Sequence, residues 1–164
     1  MTDSPFDQLA AHVDSPMHIV TATADGEHGG CLLGFATQCS IDPVRFLVCL
    51  STANRTFKIA SRADTLVVHA LYEKDHALAS LFGEETQTDD DVEKFERCDW
   101  TPGPGGAPVL DGCDWFAGTI GDRIELGDHV GFVLDVTELG HAERAAEPRL
   151  GFQGVQDLEA GNPA

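Results

Sequence analysis

The residues of this chain best suited to chemistry are hydroxyl and cationic side chains around a turn at 51–54. Ser51, Thr52 and Thr56 carry hydroxyl groups, and Arg55 and Lys58 carry positive charge. The pattern after the turn predicts a helix over 56–62, whose first backbone N–H groups would add further donors. Together these groups predict a site for an anionic ligand such as a phosphate. The alternative is an ordinary helix N-cap with exposed cations.

The segment that contains this turn is almost free of acidic residues. The chain has 28 Asp and Glu against 10 Lys and Arg, yet between His28 and Ala63 the only carboxylate is Asp42. The same segment holds four of the ten cations, which are Arg45, Arg55, Lys58 and Arg62. A locally cationic segment within an acidic chain strengthens the prediction of an anion site.

The cysteines and histidines form no pattern typical of a disulfide framework or a metal site. The five cysteines are odd in number, and no two have C-x-x-C spacing. The seven histidines include no H-x-H and no H-E-x-x-H. We therefore expect no metal, and we expect Cys49, in an apolar stretch, to be a small core residue.

Length and charge limit the class of protein. A chain of 164 residues corresponds to one domain, predicted over 1–158 with a disordered tail at 159–164. The net charge of −18 argues against binding to nucleic acid or to anionic membranes. No apolar run approaches the roughly 20 residues of a membrane helix. The first residues have neither a basic start nor a long apolar stretch, so we expect no signal peptide and a cytoplasmic location.

The hydrophobic pattern predicts mostly strands, with a few short helices. Ser4, followed by Pro5, is typical of a helix start, and Phe6, Leu9 and Val13 would share one face of that helix. Further helices are predicted over 56–62, 75–82 and 91–97, and an irregular loop over 101–108. Strands are predicted over 17–24, 31–41, 45–50, 65–71, 109–110, 116–126 and 129–139.

Most of these strands are adjacent in sequence, which predicts an antiparallel sheet. Apolar runs on several strands indicate that the sheet closes into a barrel or packs against a partner. Strands and helices do not alternate regularly, and the sequence has no G-x-G-x-x-G or G-x-x-x-x-G-K motif. A dinucleotide-binding Rossmann fold is therefore disfavoured.

The order of short motifs along the chain resembles the flavin reductase family. In sequence they read C-S-I-D-P, F-L-V-C-L-S, A-N-R-T-F, L-V-V-H-A-L, L-F-G and, much later, G-D-H. The resemblance covers roughly 6–139. It implies a mainly β fold, a six-stranded antiparallel split β-barrel with short flanking helices. It also implies a homodimer with one flavin per subunit near the dimer interface.

The resemblance assigns two groups of flavin-binding residues. The ring would lie along the second strand, at Leu33, Gly34, Phe35, Ala36, Thr37, Gln38, Cys39 and Ser40. The phosphate would lie beside Ser51, Thr52, Ala53, Asn54, Arg55, Thr56, Phe57 and Lys58. The second group coincides with the anion site that the charge pattern predicts independently.

One part of the chain departs from the family pattern. Many members carry Thr-Ala-Ser on the second strand, where this chain has Gly34, Phe35 and Ala36. Side-chain hydroxyls for the flavin ring are therefore missing or displaced. Backbone N–H and C=O groups, together with Gln38, would replace them.

The resemblance implies an activity and two further site residues. The activity is hydride transfer from NADH or NADPH to FMN or FAD, with the reduced flavin delivered to a monooxygenase. His129 resembles the family's late histidine near flavin and nicotinamide, and is the predicted catalytic residue. Lys94 matches a position expected to contact phosphate or the nicotinamide dinucleotide.

Three alternatives remain at the level of sequence. The chain could be a non-catalytic FMN-binding protein, which the departure at Gly34, Phe35 and Ala36 favours. It could be another split-barrel oxidoreductase, similar to pyridoxamine-phosphate oxidases or to deazaflavin enzymes, although it lacks basic residues for a polyanionic deazaflavin tail. It could also be a β-barrel interaction module whose cationic segment is an interface.

Overall fold

A computed structural model describes residues 4–84, 92–140 and 147–158 of the chain. Within these ranges it contains nine β-strands and four α-helices. The strands are β1 His18–Ala24, β2 Glu27–Leu33, β3 Ala36–Ser40, β4 Arg45–Ser51, β5 Thr65–Ala70, β6 Trp100–Pro102, β7 Pro108–Leu110, β8 Asp114–Glu125 and β9 His129–Gly140. The helices are α1 Pro5–His12, α2 Arg55–Ala60, α3 His76–Glu84 and α4 Val92–Glu96. The predicted tail at 159–164 lies outside the described residues.

Seven strands form one antiparallel sheet, and the two strands at its edges follow one another in the sequence. The strand order is β2-β1-β5-β8-β9-β4-β3, and every neighbouring pair is antiparallel. β2 and β3 stand at opposite edges, yet only Gly34 and Phe35 separate them in sequence. If β2 and β3 are counted as one bent strand, six strands surround the core. The prediction of a mainly β, six-stranded split barrel is therefore confirmed.

The predicted single strand over 31–41 is wrong in one respect, because it is broken at Gly34. A Cβ atom at this position would lie 3.1 Å from Met17 Sδ, so glycine lets the backbone pass closely at the bend. The Phe35 carbonyl then accepts a hydrogen bond of 2.9 Å from the Cys49 backbone N–H of β4. The break moves the second half of the predicted strand to the opposite edge of the sheet.

The predicted loop over 101–108 is also only partly correct. Trp100 and Thr101 pair with Leu110 and Val109, and the short strands β6 and β7 form a separate two-stranded sheet. Irregular backbone is confined to the connection, where Gly105 and Gly106 have φ of 67° and 77°. The proline and glycine content of this stretch concealed the short pairing.

Apolar side chains from β1, β4, β5 and β9 fill the interior of the barrel. Val20, Val48, Leu66, Phe132 and Leu134 are all completely buried. Ile59 and Ala60 of α2 belong to the same cluster, and α2 packs against β1, β2 and β4. This packing fixes the first turn of α2 relative to the end of β4.

A second apolar cluster joins β1 to α3, α4 and the segment 147–158. Ile19, Phe82, Phe95 and Leu150 are buried in it. The Leu150 backbone donates a hydrogen bond of 2.8 Å to the Leu71 carbonyl and accepts one of 3.0 Å from the Met17 N–H. The described residues after β9 are thus packed onto the barrel.

Helix α1 begins as the sequence predicts but leaves its apolar face uncovered. Ser4 Oγ accepts a hydrogen bond from the Asp7 N–H, and the Ser4 N–H donates to the Asp7 carboxylate, both at 3.1 Å. Phe6, Leu9 and Val13 share one face but are 72%, 63% and 71% exposed. Among the described residues, no helix is long and apolar enough to cross a membrane.

Candidate functional site

Three separate parts of the sequence meet where β4 ends. β4 lies between β3 and β9, so that Ala36 is opposite Val48 on one side and His129 is opposite Ser51 on the other. The Phe35 ring, at the start of the β3 edge, lies 5.0 Å from the His129 ring between centroids. The predicted ring strand, phosphate turn and catalytic histidine are therefore brought together.

Hydrogen bonds join the turn that follows β4 to the β8–β9 hairpin. The Thr52 backbone N–H donates to the Asp128 carbonyl at 2.9 Å, and Thr52 Oγ1 donates to the same oxygen at 3.2 Å. Because Asp128 immediately precedes His129, these bonds fix the distance between the turn and the histidine.

Asn54 caps α2 and engages the backbone donors of its first turn. Asn54 Oδ1 accepts a hydrogen bond of 2.8 Å from the Thr56 N–H. The Asn54 carbonyl accepts one from the Phe57 N–H at 3.1 Å, and the Ser51 carbonyl accepts the Asn54 N–H at 3.0 Å. Ser51 Oγ accepts the Ala53 N–H at 3.3 Å. Side chains, rather than these amides, are therefore the more direct donors to an anion at this turn.

The hydroxyl groups of the turn differ in accessibility. The Thr56 side chain is buried, and its Oγ1 has no hydrogen-bond partner among the described residues. Thr52 is exposed and Ser51 is half-buried. A ligand on the outer side of the turn would therefore meet Ser51 and Thr52 before Thr56.

Three of the four cations in the acid-poor segment are paired with carboxylates. Arg45 contacts Asp135 at 2.9 Å, and lies at the opposite end of β4, about 20 Å from Ser51 along the strand. Arg55 contacts Glu27 at 3.2 Å. Arg62 contacts Asp25 at 2.5 Å and Glu27 at 3.5 Å. Acids just outside the segment therefore compensate most of its positive charge.

Lys58 differs from the other three cations. Its side chain is exposed, and no carboxylate of the described residues lies within ion-pair distance of it. It lies one turn into α2, after the Asn54 cap. Lys58 is thus the cation of this segment whose charge is left for a ligand.

His129 is oriented by the residue before it. His129 Nδ1 donates a hydrogen bond of 2.7 Å to the Asp128 carboxylate, and the side chain is 22% exposed. This bond lowers the pKa of Asp128, and the positive charge that the imidazole can carry lowers it further. Nε2 is then the ring nitrogen left for a ligand. The sequence did not point to Asp128 as a partner of His129, although the two are adjacent at a tight turn.

The predicted ring strand combines buried and exposed positions. Leu33 is buried in the barrel core and Phe35 is 64% exposed. Gln38 Nε2 donates to the Ser40 carbonyl at 3.1 Å, and Thr37 Oγ1 donates to the Gln38 carbonyl at 3.2 Å. Because β3 is an edge strand, its outer backbone N–H and C=O groups face away from the sheet.

Lys94 lies on α4, beneath β2. Its side chain is 2% exposed, and Nζ donates to the Gly30 carbonyl at 3.2 Å. Nζ also lies 5.8 Å from the centre of the Phe82 ring. A contact between Lys94 and a phosphate or a nicotinamide dinucleotide remains a prediction.

A groove lies at the other end of β4. It has a volume of about 230 Å³ and is mainly apolar, and of the predicted site residues it contains Gln38. The lining residues are Gln38, Val44, Arg45, Phe46, Phe116, Val136 and Leu139. Exposed Ile41 borders this region in sequence. The groove is separate from the convergence of Phe35, Ser51 and His129.

Comparison with known proteins decides the family. The family model described as "Flavin reductase like domain" matches residues 10–157. The chain belongs to the flavin reductase family. The match includes the predicted ring strand, the predicted phosphate turn and His129.

Individual flavin reductases agree with this assignment. The chain is 32% identical over 133 residues to "FMN reductase (NADH) RutF" of Klebsiella pneumoniae, covering 79% of this chain and 78% of that protein. Matches to longer relatives span as little as 38% of the relative.

Solved structures share the fold. The NADH:FAD oxidoreductase SgcE6 of Streptomyces globisporus has a TM-score of 0.77 at 23% identity, with 92% of this chain and 90% of that one covered. The styrene monooxygenase flavin reductase of Pseudomonas putida has a TM-score of 0.76 at 21% identity, with 91% and 92% covered.

Proposed function

We propose that this protein is an NAD(P)H-dependent flavin reductase. It binds FMN or FAD, takes hydride from NADH or NADPH, and supplies reduced flavin to a monooxygenase. The observation that carries the proposal is the meeting of the β3 edge, the Ser51–Asn54 turn and His129 in a chain of the flavin reductase family. A relative that is 32% identical is named as an FMN reductase that uses NADH.

The residues at the end of β4 fit a flavin in chemical terms. The outer backbone groups of β3 can pair with the polar edge of the ring, and exposed Phe35 offers it an apolar contact. Lys58 and the Ser51 hydroxyl suit a phosphate, whereas the Thr52 hydroxyl already donates to the Asp128 carbonyl. Other predicted residues contribute the backbone that carries these groups. They are Gly34, Ala36, Thr37, Cys39, Ser40, Ala53, Thr56 and Phe57.

The protein's own part in the reaction is binding and orientation. Flavin and nicotinamide supply the hydride chemistry when bound, so no nucleophile or carboxylate pair is needed. Backbone N–H groups of β3 would stabilise negative charge on a reduced flavin. The Asp128 carboxylate holds the His129 ring by Nδ1, so that Nε2 can bind a ligand or hold a proton beside Phe35.

A homodimer and an oxygenase partner are part of the proposal. Val44 and Leu139 of the apolar groove and nearby Ile41 are exposed, and they offer a surface suited to a second copy of the chain. The partner oxygenase is proposed because a similar fold occurs in the styrene monooxygenase flavin reductase of Pseudomonas putida. A cytoplasmic location remains a prediction from the sequence.

Anaerobic mixing of the purified protein with excess FMN and either NADH or NADPH tests the activity. We expect bleaching of the flavin absorption band with at least one nucleotide, at a rate proportional to protein concentration. Absence of bleaching with both nucleotides would exclude the reductase.

The same purified protein distinguishes the reductase from the alternative functions. A protein that binds FMN but is reduced by neither nucleotide would be a flavin store or sensor. A protein with no flavin-induced thermal shift would be an interaction module.

A further inference from the structure

Two acids at the β1–β2 turn hold the arginines that flank α2. Asp25 and Glu27 lie on either side of Gly26, where the chain turns with φ of 52° at Asp25 and 76° at Gly26. Glu27 accepts Arg55 at 3.2 Å and Arg62 at 3.5 Å, whereas Asp25 accepts Arg62 at 2.5 Å. Glu27 is thus shared between both arginines, whereas Asp25 contacts Arg62.

Arg55 is the cation closest in sequence to the Ser51–Asn54 turn. It is the first residue of α2 and directly follows the Asn54 cap. One guanidinium nitrogen contacts the Glu27 carboxylate, and the other donates to the His28 carbonyl at 3.5 Å. A phosphate at the turn would therefore meet an arginine whose charge is already compensated by Glu27.

The pairing of Arg55 with Glu27 is suited to exchange. The Arg55 side chain is 21% exposed and the Glu27 side chain is 51% exposed. Ion pairs with this degree of solvent contact contribute about 0–1 kcal/mol to stability. A guanidinium forms bidentate contacts with phosphate as readily as with carboxylate. Arg55 can therefore exchange the Glu27 carboxylate for a phosphate.

We propose that Glu27 is a competing anion that weakens flavin phosphate binding. It lowers the affinity because it occupies Arg55, which would otherwise contact the phosphate. The effect is specific for flavins that carry a phosphate, and it favours release of FMN after turnover. This inference rests on the proposed function.

The test compares FMN with riboflavin, which lacks the phosphate. We expect Glu27→Gln to tighten the Kd of FMN by about threefold to tenfold at constant ionic strength, because Arg55 loses its carboxylate partner and can contact the phosphate. The Kd of riboflavin should stay within about twofold of the wild type, since no phosphate is involved. Fluorescence titration with the full chain measures both constants.

Asp25→Asn is the matched control. It removes the same charge from the same turn, but from the acid that contacts Arg62 rather than Arg55. Its effect on FMN should stay within about twofold. In the Arg55→Ala background, Glu27→Gln should lose most of its effect, which isolates the Glu27–Arg55 coupling.

Equal changes for FMN and riboflavin would overturn the inference. So would an Asp25→Asn effect as large as that of Glu27→Gln, or an undiminished Glu27→Gln effect without Arg55. Each of these results leaves NADH-driven reduction of FMN by the wild type intact. Failure of the wild type to bind or reduce any flavin would instead remove the proposed function, and this inference with it.

Discussion

Charge compensation separates the cations that looked equivalent in the sequence. Arg45, Arg55 and Arg62 each contact a carboxylate. Lys58 is exposed and has no such contact among the described residues. A phosphate gains most from a cation whose charge is not already shared. The phosphate prediction therefore concentrates on Lys58.

Replacement of Lys58 by Ala should weaken FMN binding by about tenfold to a hundredfold, the value of one charge-assisted hydrogen bond. Riboflavin binding should change less than about twofold, because riboflavin lacks the phosphate. Titration of both flavins by fluorescence quenching measures the difference. Arg62→Ala serves as the control, since Arg62 is held by Asp25 and Glu27. An equal loss for both flavins would contradict the phosphate role of Lys58.

His129 is predicted to affect turnover more than flavin binding. His129→Ala should lower kcat with NADH by about a hundredfold if the imidazole holds a proton or orients the nicotinamide. The Kd of FMN should stay within about threefold, because the β3 edge and the phosphate turn remain. Stopped-flow reduction and equilibrium titration give the two values.

Asp128→Asn keeps an acceptor for His129 Nδ1 but removes the charge. We expect its kcat to lie between those of the wild type and His129→Ala. Unchanged turnover in His129→Ala would show that the histidine is structural.

At the scale of elements, the Asn54 cap decides whether α2 can present its first turn. α2 has only six residues, which is too short for a helix that is stable alone. Its order therefore depends on packing of Ile59 and Ala60 in the core and on the cap. Any ligand contact by Lys58 requires both.

Asn54→Ala should destabilise the protein by about 1–2 kcal/mol, because the Thr56 N–H loses its acceptor in a buried position. Asn54→Asp keeps a cap oxygen and should stay within about 0.5 kcal/mol of the wild type. Urea unfolding followed by circular dichroism measures both. Equal destabilisation by the two substitutions would assign the loss to packing rather than to capping.

The strands show how much of the fold could be predicted from the sequence. Alternating or continuous apolar residues located β1, β4, β5, β8 and β9 to within a few positions. The break at Gly34 was hidden, because the residues on both sides favour a strand and the bend depends on Met17, just before β1, and on Cys49 of β4. Local patterns predict a strand but not the edge of the sheet to which it belongs.

The ion pairs of the arginines could not be predicted from the sequence either, because their partners lie far apart along the chain. Arg45 and Asp135 are 90 positions apart, and Arg55 and Glu27 are 28 apart. The sequence correctly identified an acid-poor segment, but only the folded chain places acids beside it. The His129–Asp128 bond, by contrast, joins neighbours, and the G-D-H motif already placed both residues together.

A buried histidine links the barrel to the β6–β7 pair. His69 is completely buried; its Nδ1 donates to the Ile19 carbonyl at 2.9 Å and its Nε2 accepts the Leu110 N–H at 3.0 Å. This arrangement requires the neutral ring, because a protonated Nε2 would face an N–H donor. Burial lowers the pKa of His69 to about 4, and the hydrogen bond to the Ile19 carbonyl opposes this only in part.

The lowered pKa of His69 predicts acid sensitivity of the whole fold. An unfolded histidine has a pKa of about 6.5, so between pH 6.5 and 4 the unfolded chain binds the proton that the folded chain excludes. The contribution of His69 to stability is therefore complete above about pH 6.5, and it falls by about 2 kcal/mol between pH 7 and 5.

The difference between the wild type and His69→Gln isolates this contribution from the many carboxylates that also titrate. Gln costs stability at pH 7, because it cannot reproduce both hydrogen bonds of the ring. Since Gln does not titrate, the free-energy difference between the two proteins should shrink by about 2 kcal/mol from pH 7 to pH 5. Ile19→Val, a buried substitution without a titrating group, should show the same difference at both pH values. Urea unfolding at pH 7 and pH 5 measures all three proteins, and a difference for His69→Gln that is independent of pH would show that His69 does not exclude the proton.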